Sequence, residues 1–328
     1  MNCRGHQWER WISGDKKMRQ KKAHDRQRIR FEKYKLWKAQ SLINNQPIKG
    51  LWFRKAIHPL IRCGLFLQRR INKFEIEFVN RHLEDTEKTR VFAVSHIGKW
   101  DYEIINEVLQ PHSYIIAADF MHMYGRIAGF LLNLNGVIYV DETDKKDRIN
   151  SKRMMEKVLN SGNNMMIFPE GTWNLSDNEI IYDLPFGCAE IAINTNSVIT
   201  PICMEQYEER FVINVGKNII PTDKEITTQC LRDVMATLKY EIWEREGIGC
   251  RNEIPWNYWD CFIQKRISEW YGYAISEQRI NIFLPNKKKE YYEILKDMRN
   301  LHITQDNCFM VMEIRRFLEY ANGSCIDL

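Results

Sequence analysis

From Arg90 onward, short apolar runs alternate with segments of helical period. Runs 91–95, 114–118, 137–140, 165–168, 198–203 and 211–215 are mostly aliphatic, aromatic and methionine side chains. Such continuous runs mark strands buried on both faces. Between them, 101–109, 121–134, 148–159 and 188–194 carry apolar residues at three- and four-residue spacing, and 226–245 adds one more helix. Parallel neighbours need a crossover connection, usually a helix. The alternation therefore predicts an α/β fold with a mainly parallel central sheet flanked by helices. Asn135-Gly136 and Ser161-Gly162 fall where helices stop.

The rest of the chain bounds the answer. Apolar residues make up 44% and charged residues 28% of 328, which excludes a wholly disordered chain. The longest uncharged runs, 127–140 and 191–204, are shorter than the roughly 18 residues a spanning helix needs. No apolar segment of a secretory signal opens the chain. Nine cysteines are scattered, with no Cys-x-x-Cys pair. That pattern suits a reduced cytosol and offers no zinc site. Four regions are expected: a basic N-terminal arm (1–50), an amphipathic helical region (51–84), the α/β domain (85–245) and a C-terminal extension (246–328). In the extension, helices are expected over 259–271, 290–298 and 309–320.

Charge is unevenly spread. Residues 1–50 hold 14 Lys and Arg against 4 Asp and Glu, although the whole chain carries only +5. Such an arm is drawn to anionic lipid or nucleic acid, or is simply a solvated helix. No nucleic-acid-binding motif accompanies it, so nucleic acid is not the expected partner. Next, Leu60, Gly64, Leu67, Ile71, Phe74 and Phe78 recur at helical spacing, with Pro59 suited to a first turn. Arg62, Arg69, Arg70 and Lys73 lie off that stripe. A basic amphipathic helix of this kind packs on the core, lies on an anionic membrane, or does both.

The chemistry concentrates at two strand ends. His96 follows the first strand of the domain, and Asp101 comes five residues later at a helix start. That spacing lets a carboxylate take one imidazole hydrogen and leave the other nitrogen as a base. Phe168-Pro169-Glu170-Gly171-Thr172 follows the fourth strand. Pro and Gly around a carboxylate make a rigid turn able to present backbone N–H groups. If the strands are parallel, both features meet at one sheet edge, where α/β sheets bind ligands.

These segments resemble the glycerolipid acyltransferase family, best known for lysophosphatidic acid acyltransferases. His96, Gly98 and Asp101 match its first motif, and Gly136 to Asp141 its second. Phe168 to Thr172 match the third, and Val198 to Ile202, with Pro201, the fourth. The resemblance implies His96 as general base and Asp101 as its orienting partner. It also implies substrate-binding roles for Gly98, Gly136, Asp141, Glu170, Gly171, Thr172 and Pro201. The hydroxyl of a lysolipid-like acceptor would attack an acyl thioester on coenzyme A or acyl carrier protein, with no metal or redox cofactor. A protein of this kind would sit peripherally on the cytoplasmic face of a membrane, preferring anionic lipid.

Two family arginines are replaced here. Glu142 follows Asp141, and Trp173 follows Thr172. Arginine's fork pairs phosphate bidentately, and neither replacement can. The expectation is therefore an acceptor without that phosphate, or substitute cations among Lys99, Arg126, Lys145, Lys146 and Arg148. A lapsed lipid-binding relative and an acyl-thioester hydrolase remain open at this point.

Overall fold

The structure is a computed structural model. It describes residues 5–45, 50–98, 100–118, 120–123, 127–171, 173–174, 180–207, 209–246, 308, 311 and 312. The expected C-terminal helices therefore lie almost wholly outside the described residues. Two helices open the chain, α1 (Gly5–Ile43) and α2 (Leu51–Ile71). There follow β1 (Glu75–Asn80), β2 (Arg90–Val94), α3 (Asp101–Val108), β3 (Ser113–Ala117), α4 (Phe120–Met123), α5 (Ile127–Asn135) and β4 (Val137–Tyr139). The remainder is α6 (Lys145–Asn160), β5 (Asn164–Ile167), α7 (Gly187–Thr195), β6 (Val198–Tyr207), β7 (Arg210–Val215) and α8 (Lys224–Glu246).

The strands form one seven-stranded sheet in the order β1-β7-β6-β2-β5-β3-β4. Every neighbouring pair is parallel except the β6–β7 hairpin. Both faces are covered, as a parallel sheet requires. Val91 and Ala93 point to one side with Met165, Ile199 and Cys203, against α6, α7 and α8. Phe92 and Val94 point to the other, with Met166, Ile202 and Met204 against Ile104 and Ile105 of α3. Val311 is buried in the first of these clusters. The period of two along β2 thus splits one apolar run between two cores.

Several elements differ from expectation. Residues 121–134 are not one helix: α4 ends at Met123 and α5 begins at Ile127. α6 starts at Lys145, three residues before 148, because Asp144 caps it. The Asp144 carboxylate accepts the N–H of Lys146 at 2.9 Å and of Asp147 at 3.3 Å. Pro59 lies inside α2, not in its first turn. Phe74 and Phe78 do not continue the helical stripe. Lys73 takes a left-handed conformation (φ 59°), and the chain leaves the helix there for β1. This strand pairs in parallel with β7, so the sheet already begins at residue 75.

The stripe that remains on α2 faces outward. Leu60 is 73% and Ile71 81% exposed, while His58 and Leu65 are buried on the opposite side. Arg62 donates to the Glu107 carbonyl at 2.8 Å, and Arg69 to the Glu107 carboxylate at 2.8 Å. The docking side of α2 is therefore mixed, with Arg62 and Arg69 beside the buried Leu65.

The second half of the basic N-terminal region is likewise docked. Phe31 stacks on Phe120, and the Tyr34 hydroxyl accepts the Tyr139 N–H at 3.1 Å. The Lys38 ammonium, 0% exposed, meets Asp147 at 2.7 Å, the Ser151 hydroxyl at 2.7 Å and the Tyr139 carbonyl at 2.9 Å. Burial pulls its pKa below the usual lysine range, against the pull of Asp147. These contacts place α1 against α6 and the end of β4.

Candidate active site

β2 and β5 are direct neighbours and parallel, so the turns that follow them open at the same sheet edge. One carries His96, the other Phe168 to Gly171. Asp101, the first residue of α3, is 1% exposed and reaches back toward β2. The His96 Nδ1–H donates to its Oδ2 at 2.8 Å. The same oxygen accepts the N–H groups of Ile97 at 2.6 Å and Gly98 at 2.9 Å. Gly98 thus contributes its backbone to the Asp101 cradle. With Nδ1 as donor, Nε2 is the basic nitrogen of the ring.

Aromatic walls hold the imidazole. Phe168 stacks on it with centroids 4.1 Å apart, and Trp173 stands edge-on at 5.9 Å. Ser95, buried just before the histidine, anchors the strand end sideways. Its hydroxyl accepts the Met204 N–H at 2.9 Å.

Glu170 is only 6% exposed and is turned inward. One carboxylate oxygen accepts the His96 N–H at 3.2 Å. The other accepts the Asn174 side-chain amide at 2.9 Å and the Tyr182 N–H at 3.1 Å. The Asn174 N–H in turn donates to the His96 carbonyl at 2.5 Å. The loop after β5 therefore grips the His96 peptide at both its N–H and its carbonyl. Burial pushes the Glu170 carboxyl above the usual range, against the nearby Lys239 charge and the hydrogen bonds that pull it down. Gly171 closes this turn in the left-handed region (φ 73°), its N–H donating to the Phe168 carbonyl at 3.0 Å.

The other residues singled out by sequence lie elsewhere. Asp141 follows β4, three strands from β2, which at the usual strand spacing is roughly 14 Å away. Its carboxylate meets the Lys35 ammonium of α1 at 3.1 Å and the Thr143 hydroxyl at 2.6 Å. Partial burial pushes the Asp141 carboxyl up, but Thr143 and Lys35 outweigh it and the net shift is down. Lys35 also meets Glu32 at 2.9 Å and Asp144 at 3.3 Å. Gly136 sits at the opposite end of β4 from Asp141, where a side chain would strike the Tyr114 ring at 2.8 Å. Pro201 lies within β6 opposite Ala93 of β2. Its missing donor is tolerated because the β6–β7 ladder begins only at Ile202. Thr172, Lys99 and Arg126 lie outside the described residues.

Sequence reasoning missed Asn174, Lys35 and Lys239. Asn174 carried a visible signal, four residues after Glu170 in the same turn. The two lysines carried none, since their partners are distant in sequence. Among the described residues no group of three or more His, Cys, Asp and Glu could hold a metal.

Residues 75–205 match the family model described as Acyltransferase. An acyltransferase of Schizosaccharomyces pombe, described as uncharacterized, is 25% identical over 167 residues, 48% of this chain and 57% of that protein. The chain thus spans little more than half the length of this curated relative. The crystal structure of the 1-acyl-sn-glycerophosphate (LPA) acyltransferase PlsC from Thermotoga maritima is similar with a TM-score of 0.49 and 12% identity, covering 71% of this chain and 99% of that one. The four motifs lie in order along the residues that the Acyltransferase family model matches.

Proposed function

We propose that this chain moves a fatty acyl group from a thioester, on coenzyme A or acyl carrier protein, to a hydroxyl of a lysolipid-like acceptor. The observation that carries the reading is the 2.8 Å bond from His96 Nδ1–H to the buried Asp101 carboxylate, beside the Phe168–Gly171 turn. It makes Nε2 the proton acceptor. The acceptor hydroxyl gives its proton to Nε2 while its oxygen bonds to the thioester carbonyl carbon. The resulting oxyanion collapses, the carbon–sulfur bond breaks, and the thiolate leaves with the proton held by His96. Asp101 stabilises the imidazolium between the two transfers.

Trp173 supports an acceptor lacking the phosphate an arginine would hold. It puts an indole edge against the imidazole instead of a guanidinium. Arg148 donates to the Glu142 carbonyl, and Lys35 is surrounded by three carboxylates, so neither supports phosphate binding. The outward stripe of α2 supports attachment at the cytoplasmic face of a membrane. Trp52, Leu60, Leu67 and Ile71 are exposed there, and the helix has five Lys and Arg and no Asp or Glu. No described helix is long and apolar enough to cross a membrane.

Thiol release from both thioester donors tests the reading, with wild type and His96→Ala against lysophosphatidic acid, a lyso-aminolipid and a lysoglycolipid. The expected result is release that requires a phosphate-free acceptor and falls about 10³-fold in the variant. Release that proceeds equally without any acceptor would instead mark a hydrolase.

A further inference from the structure

β4 is the last strand at its end of the sheet, so one row of its backbone groups has no strand to pair with. The helix α1, outside the family-matched residues, takes that row. The Tyr139 N–H goes to the Tyr34 hydroxyl at 3.1 Å, and the Tyr139 carbonyl accepts from the Lys38 ammonium at 2.9 Å. The same ammonium lies 2.7 Å from one oxygen of Asp147, whose other oxygen accepts the Asp141 N–H at 2.8 Å. Its remaining contact is the Ser151 hydroxyl at 2.7 Å. Lys38 thus fixes the chain on both sides of Val140, at the Tyr139 carbonyl directly and at the Asp141 N–H through Asp147. Lys38 and Asp147 are both buried. One turn of α1 earlier, Lys35 meets the carboxylates of the same loop, Asp141 at 3.1 Å and Asp144 at 3.3 Å.

This turn shares an edge with His96. β2, β5, β3 and β4 are parallel neighbours in that order, so the turns that follow them open on one side. The chain leaves β2 toward β3 and leaves β5 toward β6, in opposite directions across the sheet. The crevice at such a divide is where α/β sheets take ligands. The turn after β4 stands on one side of that crevice, roughly 14 Å from β2. Glu142 and Thr143 are exposed on it, so the wall it offers is polar. At that distance it meets an acceptor with an extended polar head group, not a bare hydroxyl.

We propose that Lys38 is a positioning residue for acceptor recognition. It holds the turn after β4 as the wall that meets the head group of the lysolipid-like acceptor, which makes α1 part of the acceptor site. The recognition part rests on the acyl-transfer reading. The hold on the turn does not.

Steady-state kinetics of the full chain test it, with acyl-CoA or acylated carrier protein as donor. The acceptors are a lysoglycolipid and monoacylglycerol, which has no head group. In Lys38→Met the KM for the lysoglycolipid should rise about tenfold, the worth of one polar contact. The KM for the donor and for monoacylglycerol, and kcat at saturating lysoglycolipid, should stay within about twofold. Exchange of the Asp141 amide hydrogen should quicken about tenfold. A lysoglycolipid KM that is unchanged in the folded variant, or that rises no more than the other two, overturns the proposal. So does a wild type that accepts monoacylglycerol alone. Should Lys38→Met not fold, Lys38→Met with Asp147→Leu decides, since it leaves no lone charge buried and removes both holds on the turn. The same pattern is required of it. If wild type transfers no acyl group to either acceptor, the acyl-transfer reading fails and recognition falls with it. Exchange at Asp141 then judges the hold on the turn, and a rate equal to wild type overturns that as well.

Discussion

A single oxygen of Asp101 receives the ring N–H of His96 and the amide hydrogens of Ile97 and Gly98. It therefore sets both the tautomer of the imidazole and the shape of the turn that carries it. Asp101→Asn can keep an oxygen at this shared position, but it removes the carboxylate charge that stabilises the imidazolium. The expected loss in kcat is roughly 10³- to 10⁴-fold with KM little changed, by comparison with the same substitution in a serine-protease triad. A variant retaining a tenth or more of wild-type kcat would contradict the role given to the Asp101 charge. Gly136 belongs to a different category. Its φ of 111° and the Tyr114 ring 2.8 Å from any added Cβ make it a packing residue. Gly136→Ala should lower stability by about 2 kcal/mol, read from a denaturant midpoint. Adding Tyr114→Leu should recover part of that loss, because it removes the ring that the methyl group meets.

At the scale of elements, α2 presents a stripe of apolar side chains to solvent and docks through a mixed side that includes His58, Arg62, Leu65 and Arg69. Leu60→Asp with Ile71→Asp should reduce sedimentation with anionic vesicles at least tenfold and leave thermal stability within about 0.5 kcal/mol, the usual range for surface changes. Unchanged sedimentation would mean the stripe does not meet lipid. The stripe from Leu60 to Ile71 was legible in the sequence as an amphipathic pattern, but which side faced water was not. Periodicity gives a face, and the partner of that face lies far along the chain. Phe74 and Phe78 extended the pattern falsely. The alternation Glu75-Ile76-Glu77-Phe78 was the competing signal, and pairing with the distant β7 decided it. The buried strands were read within a few residues because an apolar run between turns has few other places to go. The His96, Asp101 and Glu170 constellation was readable as three residues at two strand ends. The inward turn of Glu170 was not, because it depends on Asn174 and Tyr182 closing over it. Lys35 and Lys38 sat in a basic run that composition reads as solvated. Their partners, Asp141, Asp144 and Asp147, become partners only once α1 lies along α6.

Across the described residues, a buried polar knot adds to the apolar cores on the two sheet faces. His58 of α2, Asn135 at the end of α5 and His112 before β3 meet away from water. His58 Nδ1 lies 3.1 Å from the Asn135 side-chain oxygen, and His112 Nε2 donates to the Asn135 carbonyl at 2.5 Å. Burial is the main cause that holds both imidazoles below the ordinary histidine pKa, His112 at about 4, and Arg54, Lys55 and His58 add to the effect on His112. A folded-state pKa below the unfolded value means that the unfolded chain binds more protons in this window. Stability is then full above pH 6.5 and falls as the pH drops toward 4. The contribution of His112 is on the order of 3 kcal/mol, read as a fall in denaturant midpoint between pH 7 and pH 4. His112→Gln should flatten that acid limb, and a variant whose midpoint falls as steeply as wild type would remove the knot from the account.

The most direct test of the central claim is to follow the acyl chain itself. Purified protein is given an acyl thioester and a phosphate-free lysolipid, and the products of wild type and His96→Ala are weighed by mass spectrometry. The account predicts an acceptor heavier by one acyl group, formed by wild type and reduced about 10³-fold in the variant. Equal product from both proteins, or free fatty acid alone, would contradict it.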